Sequence, residues 1–246
     1  MNKLAVLAFA LLLFFSSMLW YLAKGSLNEY LKSQVELQGY YYSGQATTLA
    51  LADFSDTTGI VTFNHLSLTN LPNSQAQYAL IIDNAHLELA RQPSQHLLTT
   101  IDKIIINKLT LNIEQRANEA NNIEQLMQNI RLTLAKDYPK LYPAISAKIY
   151  AAQNPTLNAD DYAKSHPQAG PIIEHTKNKK KRSKLQAKII ISTIIINTLE
   201  LNNIHADTIN SSQRHNVSIS VIGGKEGLVT NQIGGEILLH LLKQAN

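Results

Sequence analysis

The stretch "IIINKLTLN", Ile104 to Asn112, decides how this chain is read, because it returns as "IIINTLELN", Ile194 to Asn202. A looser copy, "VTFNHLSLT", runs from Val61 to Thr69. Each copy is built from Ile, Val, Thr and Leu with apolar residues at alternate positions, which is the pattern of a strand with one buried face. One detail breaks the pattern. Ile104 and Ile106 share a face, and so do Leu109 and Leu111, but the step from 106 to 109 is odd. An unbroken strand sends the two pairs to opposite sides. A β-bulge at Asn107-Lys108 restores a common face, and Asn suits a bulge because it tolerates left-handed backbone angles. Asn64 and Asn197 hold the same place in the other copies. The alternative is a strand buried on both faces, with the Asn marking its end. The bulge is the preferred reading, and bulges bend sheets.

Around these phrases lie more β-type runs punctuated by turn residues: "VELQGYYYSG" from Val35, "ATTLALADF", "GIVTFNHLSLTN" and "YALIIDNAHLEL". Two segments have helical spacing instead. "NEANNIEQLMQNIRLTLAK", Asn118 to Lys136, places Ile123, Leu126, Met127, Ile130 and Leu134 on one side. "TNQIGGEILLHLLKQ" offers Thr230 as an N-cap and a stripe of Ile233, Ile237, Leu238, Leu241 and Leu242. Gly234 and Gly235 cost that helix about 1 kcal/mol each relative to Ala, so it needs packing to persist. Near the start, Ser26 and Glu29 have the capping-box spacing of a short helix. Between Asp137 and Lys184 the periodicity fails, and the segment reads as a loop or linker.

The predicted fold is mainly β (α+β): an N-terminal transmembrane helix, then a curved antiparallel-rich sheet with two or three amphipathic helices. Its parts are an anchor (1–24), a β-rich region ending in a helix (25–136), a loop or linker with a basic run (137–184), and strands with a C-terminal helix completing the same domain (185–246).

The anchor rests on "LAVLAFALLLFFSSMLWYLA", Leu4 to Ala23, twenty uncharged residues between Lys3 and Lys24. At 1.5 Å per helical residue they span about 30 Å, the hydrocarbon thickness of a bilayer. Trp20 and Tyr21 stand near its end, where aromatic rings favour the headgroup level. A cleaved signal peptide is the competing reading, but its apolar region is usually about 7–15 residues and ends in small residues. The short tail before the stretch favours an N-terminus in the cytoplasm, with the rest of the chain outside it.

The net charge of +4 belongs to one run, "KNKKKRSK", Lys177 to Lys184, which holds six of the positive charges; removing 6 from +4 leaves −2 elsewhere. No aromatic residue interrupts it, so it lacks the stacking partners of a nucleic-acid surface. A solvated linker is the first reading. Contact of Lys179, Lys180, Lys181 and Arg182 with anionic lipid headgroups is the second. Cysteine is absent, which removes disulfides, thiolate chemistry and a lipoprotein anchor together. The eight histidines have no metal-ligand spacing, and Asp160 and Asp161 are neighbours in a Pro/Asn-rich stretch. "GGKEG", Gly223 to Gly227, lacks the spacing of a phosphate loop and reads as a turn. No catalytic residue, metal site or cofactor is expected, and the chain reads as no enzyme.

From "LKSQVELQGYYYSG" through "IIINKLTLNIE", and again in "ISVIGGKEGLVTNQIGGEILLHLLKQ", the order of segments resembles the AsmA-like proteins of Gram-negative envelopes. Members similarly run from an N-terminal anchor through patterned strands to an Asn-rich helix. The family's Asn-Pro turn stands here as "NLPNSQ", with Leu71 inserted and no Gly-Phe following. The resemblance implies a single-pass bacterial inner-membrane protein whose main domain is periplasmic and handles envelope lipid or maintains the outer membrane. Membrane lipids, or envelope proteins in the alternative reading, are then its partners; nucleic acid is not. Ile104, Ile106, Leu109, Leu111, Ile194, Ile196, Leu199 and Leu201 are the candidate lining for acyl chains, or else ordinary core beneath the helices. An envelope hydrolase, the third class, needs a clustered polar pocket.

Overall fold

Each copy of the repeated phrase lies in a strand, and the two close copies lie side by side. The computed structural model describes residues 25–90, 98–115, 120–153, 187–205 and 208–245. The strands are β1 (Thr47–Ser55), β2 (Ile60–Thr69), β3 (Tyr78–Leu89), β4 (Leu98–Glu114), β5 (Lys188–His205), β6 (Thr208–Ile222) and the short β7 (Leu228–Val229). The first six form one sheet in chain order, with β7 added to β5. All neighbours are antiparallel except β4 and β5, which run parallel and in register: Ile104 beside Ile194, Leu109 beside Leu199, Asn112 beside Asn202. The protein is thus mainly β with a mixed seven-stranded sheet.

The odd step in the phrase has a different cause from the expected bulge. A bulge gives one strand of a pair a residue its neighbour lacks. Here Ile82 faces Leu109 and Ala85 faces Ile106, so three positions separate the pairs on both strands. The same holds for Phe63 and Leu66 against Ala85 and Ile82, and for Ile196 and Leu199 against Val217 and Arg214. Every strand from β1 to β6 breaks its alternation at one shared level, so no register is lost. The buried face is therefore resumed after the break, and Ile104, Ile106, Leu109 and Leu111 all point into the core.

The repeated Asn residues occupy that level. Asn197 Nδ2 donates to Asn107 Oδ1 (3.2 Å), Asn107 Nδ2 donates to Asn84 Oδ1 (3.1 Å), and Asn84 Nδ2 donates to Asn64 Oδ1. This is an amide ladder across four strands, with every bond pointing the same way so that each polarises the next. The left-handed backbone expected of these Asn residues falls elsewhere. Among the described non-glycine residues, positive φ occurs at His65, Asn73 and Asn216. A second row repeats the device at the end of the phrase, where Asn202 Nδ2 donates to Asn112 Oδ1 (2.9 Å) and Asn112 Nδ2 to the Tyr78 carbonyl (2.7 Å).

Four helices are described: α1 (25–43), α2 (Asn122–Asp137), α3 (Pro143–Gln153) and α4 (Ile233–Leu242). Helix α2 matches the expected segment, and its N-cap is Asn121, whose side chain accepts from the Glu124 amide. Its buried stripe joins Leu238, Leu239, Leu241 and Leu242 of α4 and Tyr42 of α1 in one core with the sheet. Together these helices roof one face.

Several expectations are corrected. Val35 to Ser43, read as β-type, continues α1, because Leu31, Val35, Gln38 and Tyr42 recur at helical spacing toward the core side. The Ser26–Glu29 capping box does not start this helix, which is already helical at residue 25. Helix α1 stops at Gly44, whose φ of +71° and N–H bond to the Tyr40 carbonyl (2.9 Å) make a left-handed cap. Pro143–Gln153, assigned to the linker, is helical: proline opens a first turn as readily as it breaks an interior one, and Ala144, Ala147, Ala151 and Ala152 are strong helix formers. Thr230 does not cap α4; Gln232 precedes that helix, and the Thr230 hydroxyl donates to the Ala187 carbonyl (2.9 Å). The expected anchor, Leu4 to Ala23, and the stretch 154–186 with the basic run lie outside the described residues. No helix among the described residues is long and apolar enough to cross a membrane.

Gly234 and Gly235 are explained by the roof. A Cβ on Gly235 meets the Tyr42 ring at 2.9 Å, and one on Gly234 meets Gln38 Cβ at 2.9 Å. Glycine lets α4 lie directly on α1. Gly235→Ala is expected to destabilise the protein by about 1–3 kcal/mol through overpacking, whereas the usual exchange of helical Gly for Ala stabilises by about 1 kcal/mol; urea unfolding followed by circular dichroism reads the sign. Asn107→Ala removes two ladder bonds and is expected to cost roughly 1–3 kcal/mol at about 0.5–1.5 per bond, measured the same way.

Candidate functional site

The eight candidate lining residues are brought together as predicted but are shut. Ile104, Ile106, Leu109, Leu111, Ile194, Ile196, Leu199 and Leu201 are 0–5 % exposed, all within the core beneath the helices. They form adjacent rows on β4 and β5. In this conformation they are core packing, the second of the two readings the sequence left open. Lys179, Lys180, Lys181 and Arg182 lie outside the described residues.

The opposite face of the sheet is polar. Residues one step along each strand from the core rows point there, and they pair across strands. Lys108 Nζ lies 2.7 Å from Glu200 Oε2. Thr62 Oγ1 bonds His86 Nδ1 (3.1 Å), and Thr48 and Ser67 share a hydroxyl bond of 2.7 Å. Ile105 and Ile195, half-buried neighbours in register, stand among them as one apolar pair. Such a surface is hydrated and offers acyl chains no continuous apolar track. Bonding to Glu200 holds the Lys108 ammonium above its ordinary pKa.

A polar node missed by sequence reasoning fixes one end of the sheet. Glu114 is buried and accepts from Asn70 Nδ2 (3.0 Å), the Gln75 amide (2.9 Å) and the Ala76 amide (2.7 Å). Asn122 Nδ2 donates to Asn70 Oδ1 (2.9 Å), and Asn122 Oδ1 accepts the Glu114 amide (2.8 Å). The carboxylate is thereby occupied in tying the "NLPNSQ" turn to the end of β4 and the start of α2. It presents no free acid or base. The only clue in sequence is an Asn–Glu–Asn set of distant residues, and only the fold makes them neighbours.

Tyrosines line the seams between helices. Tyr41 Oη donates to both carboxylate oxygens of Asp137, at 3.0 and 2.9 Å, and that bond raises its pKa above the usual value of 10.0. Tyr42 donates to the Asn231 carbonyl (2.8 Å), and burial raises its pKa strongly. Tyr142 donates to Glu236 Oε1; burial, then this bond, raises it also, and burial raises Tyr138. These phenols stay neutral and serve as struts. Among the described residues no group of three His, Asp or Glu side chains could hold a metal ion. The GGKEG segment is a turn, with Gly223, Gly224 and Gly227 all at positive φ. His96, His166, His175, Asp160 and Asp161 lie outside the described residues.

The two sheet edges differ. At β1 the Leu49 amide donates to Glu36 Oε1 (2.9 Å) and the Phe54 amide to Asn28 Oδ1 (3.0 Å), so α1 occupies that edge. At β6, Thr208 to Asn216 are all exposed. The outer side of α1 carries Tyr30, Leu37, Tyr40 and Tyr41, each more than half exposed.

Comparison with known proteins finds no matching family model, no matching curated protein and no matching solved structure.

The seam tyrosines give a pH prediction. Their folded pKa values lie above the unfolded value of about 10, so their contribution is complete below that pH and is lost as pH rises through the folded values. Stability is expected to fall above roughly pH 10, with part of the phenolate absorbance appearing only as the fold melts. All ten tyrosines ionising together near pH 10, with unchanged circular dichroism, contradicts this.

Proposed function

We propose that this is a non-enzymatic, single-pass inner-membrane protein whose periplasmic domain takes part in envelope lipid handling or outer-membrane maintenance. What supports the reading is the resemblance of its segment order to AsmA-like proteins, together with one structural observation. A continuous row of Ile and Leu side chains crosses the two longest strands, β4 and β5, and is covered by helices rather than by a second sheet. A helical cover can part between its helices, and the seam where α4 rests on α1 through Gly234 and Gly235 is the place for it to open. Acyl chains reach the sheet only when that cover moves, so lipid holding is a property of an opened form.

The alternative is an adaptor in an envelope complex that binds no lipid. The observation favouring it is the exposed apolar side of α1, Tyr30, Leu37, Tyr40 and Tyr41, which offers protein contact without any opening.

Native mass spectrometry of the full-length chain released from detergent separates the two. Lipid handling predicts phospholipid bound to the wild type. It also predicts loss of that lipid in the oxidised Gln38→Cys/Gly234→Cys pair, which the cysteine-free background makes unique; the two Cβ positions, 2.9 Å apart, reach the disulfide range of about 3.5–4.5 Å once α4 shifts by roughly 1 Å, and reduction restores binding. A wild type without lipid leaves the adaptor reading, and lipid retained by the locked protein rules out the roofed face as its site.

A further inference from the structure

We infer that β6 is a docking edge for a second copy of this chain, which adds its own β6 to make one sheet shared by two protomers. A sheet edge is a row of unpaired N–H and C=O groups, and proteins commonly protect it with lysine, proline, inward charges or a covering element. At β1 the protection is present: α1 lies along the strand, Glu36 and Asn28 take the Leu49 and Phe54 amides, and Asn28 Nδ2 also holds Asp53 Oδ1 (3.0 Å). Among the described residues it is missing at β6. "TINSSQRHNVSISVI" contains no lysine, proline or acidic residue and a single full charge, Arg214. Among the described residues β5 is its one strand neighbour, and β6 ends the sheet.

The left-handed residue Asn216 does not turn this edge away. It lies at the level where all six strands break together, and β6 stays paired with β5 on both sides of it, at His215–Thr198 and Val217–Ile196. The strand therefore keeps its register on both sides of Asn216. Fifteen residues at about 3.4 Å each make an edge of roughly 50 Å. Antiparallel pairing along most of it forms about a dozen hydrogen bonds, the number found in an ordinary protein–protein interface of about 10 ± 5.

The occupant follows from the asymmetry. A second copy has β1 blocked in the same way, so its open edge is also β6. Pairing β6 with β6 is antiparallel, two-fold and closed, which gives a dimer and no fibre. With one Arg per strand and no acidic residue, neither attraction to a charged peptide nor strong self-repulsion decides against it.

The full-length chain in detergent micelles tests this. The wild type is expected at twice 27.3 kDa of protein mass at micromolar concentration. Asn210→Lys/Ser212→Lys, at exposed edge positions, is expected to shift it to a monomer by at least tenfold in dissociation constant with an unchanged melting temperature. Gln213→Cys is expected to form a disulfide-linked dimer on mild oxidation, and Asp56→Cys, at the far side of the sheet, is not. A wild type that is monomeric at tens of micromolar overturns the inference. So does a dimer that persists in the lysine variant while Gln213→Cys fails to cross-link, which places the contact elsewhere, for example on α1. Should the lysine variant unfold, the two cysteine variants decide alone.

Discussion

The structure depends on closing one oily surface: the Ile and Leu rows of β4 and β5 beneath α1, α2 and α4. Fully burying a side chain of this kind is worth about 1.5–3 kcal/mol, and β4 and β5 alone supply four from each copy of the phrase. Because the strands run parallel with Ile104 beside Ile194, equal side chains stand at equal heights and the rows are level. A level surface is what helices can cover. The parallel pairing in turn requires a long crossover, and α2 and α3 lie within the segment between the two strands. The element that enables the pairing also supplies part of its cover.

The asparagines solve a problem which that arrangement creates. Rows of apolar residues interrupted by a phase break stay on one face only if every neighbour breaks at the same place. The ladder from Asn197 through Asn107 and Asn84 to Asn64 ties four strands together at that place. A one-residue slip of any strand costs its amide bonds and turns its apolar residues to water. Register is therefore specified twice, once by oil and once by amide. For function, this leaves the molecule with a sealed apolar face, a hydrated polar face and two unequal edges. Interaction with anything extended and polar falls to the edge, and interaction with anything oily falls to the roof or to the outer side of α1.

Much of the fold was legible because period-two strands leave a direct trace. The span "YALIIDNAHLEL" coincides with β3, and "NEANNIEQLMQNIRLTLAK", Asn118 to Lys136, holds all of α2 (Asn122–Asp137) but its last residue. The copies of the phrase were recognisable as one module, and the candidate residues did gather on one surface. What was not legible has physical reasons. Val35 to Ser43 carries Val and three Tyr, residues that favour strands, and only packing against the sheet and α4 makes the segment helical. Pro143 stands where the periodicity fails, although its ring is compatible with a helix start. The ladder was missed because its fourth member, Asn84 in "IIDNAHLEL", sits in an antiparallel strand and so does not repeat the phrase. Whether the gathered apolar residues were a groove or a core was open in sequence, since both demand the same residues; in this conformation the helices above them cover the surface.

The most direct test of this account is the alignment of the two copies of the phrase. In the cysteine-free chain, Asn107→Cys/Asn197→Cys places two thiols at ladder positions on neighbouring strands, a separation that suits a disulfide. The account predicts rapid cross-linking of this pair under mild oxidation, with native circular dichroism retained. The offset pair Lys103→Cys/Asn197→Cys lies about four residues, or roughly 13 Å, out of step and is predicted to remain free. Cross-linking of the offset pair in preference to the aligned one contradicts parallel, in-register pairing, and with it the level surface on which the roof rests.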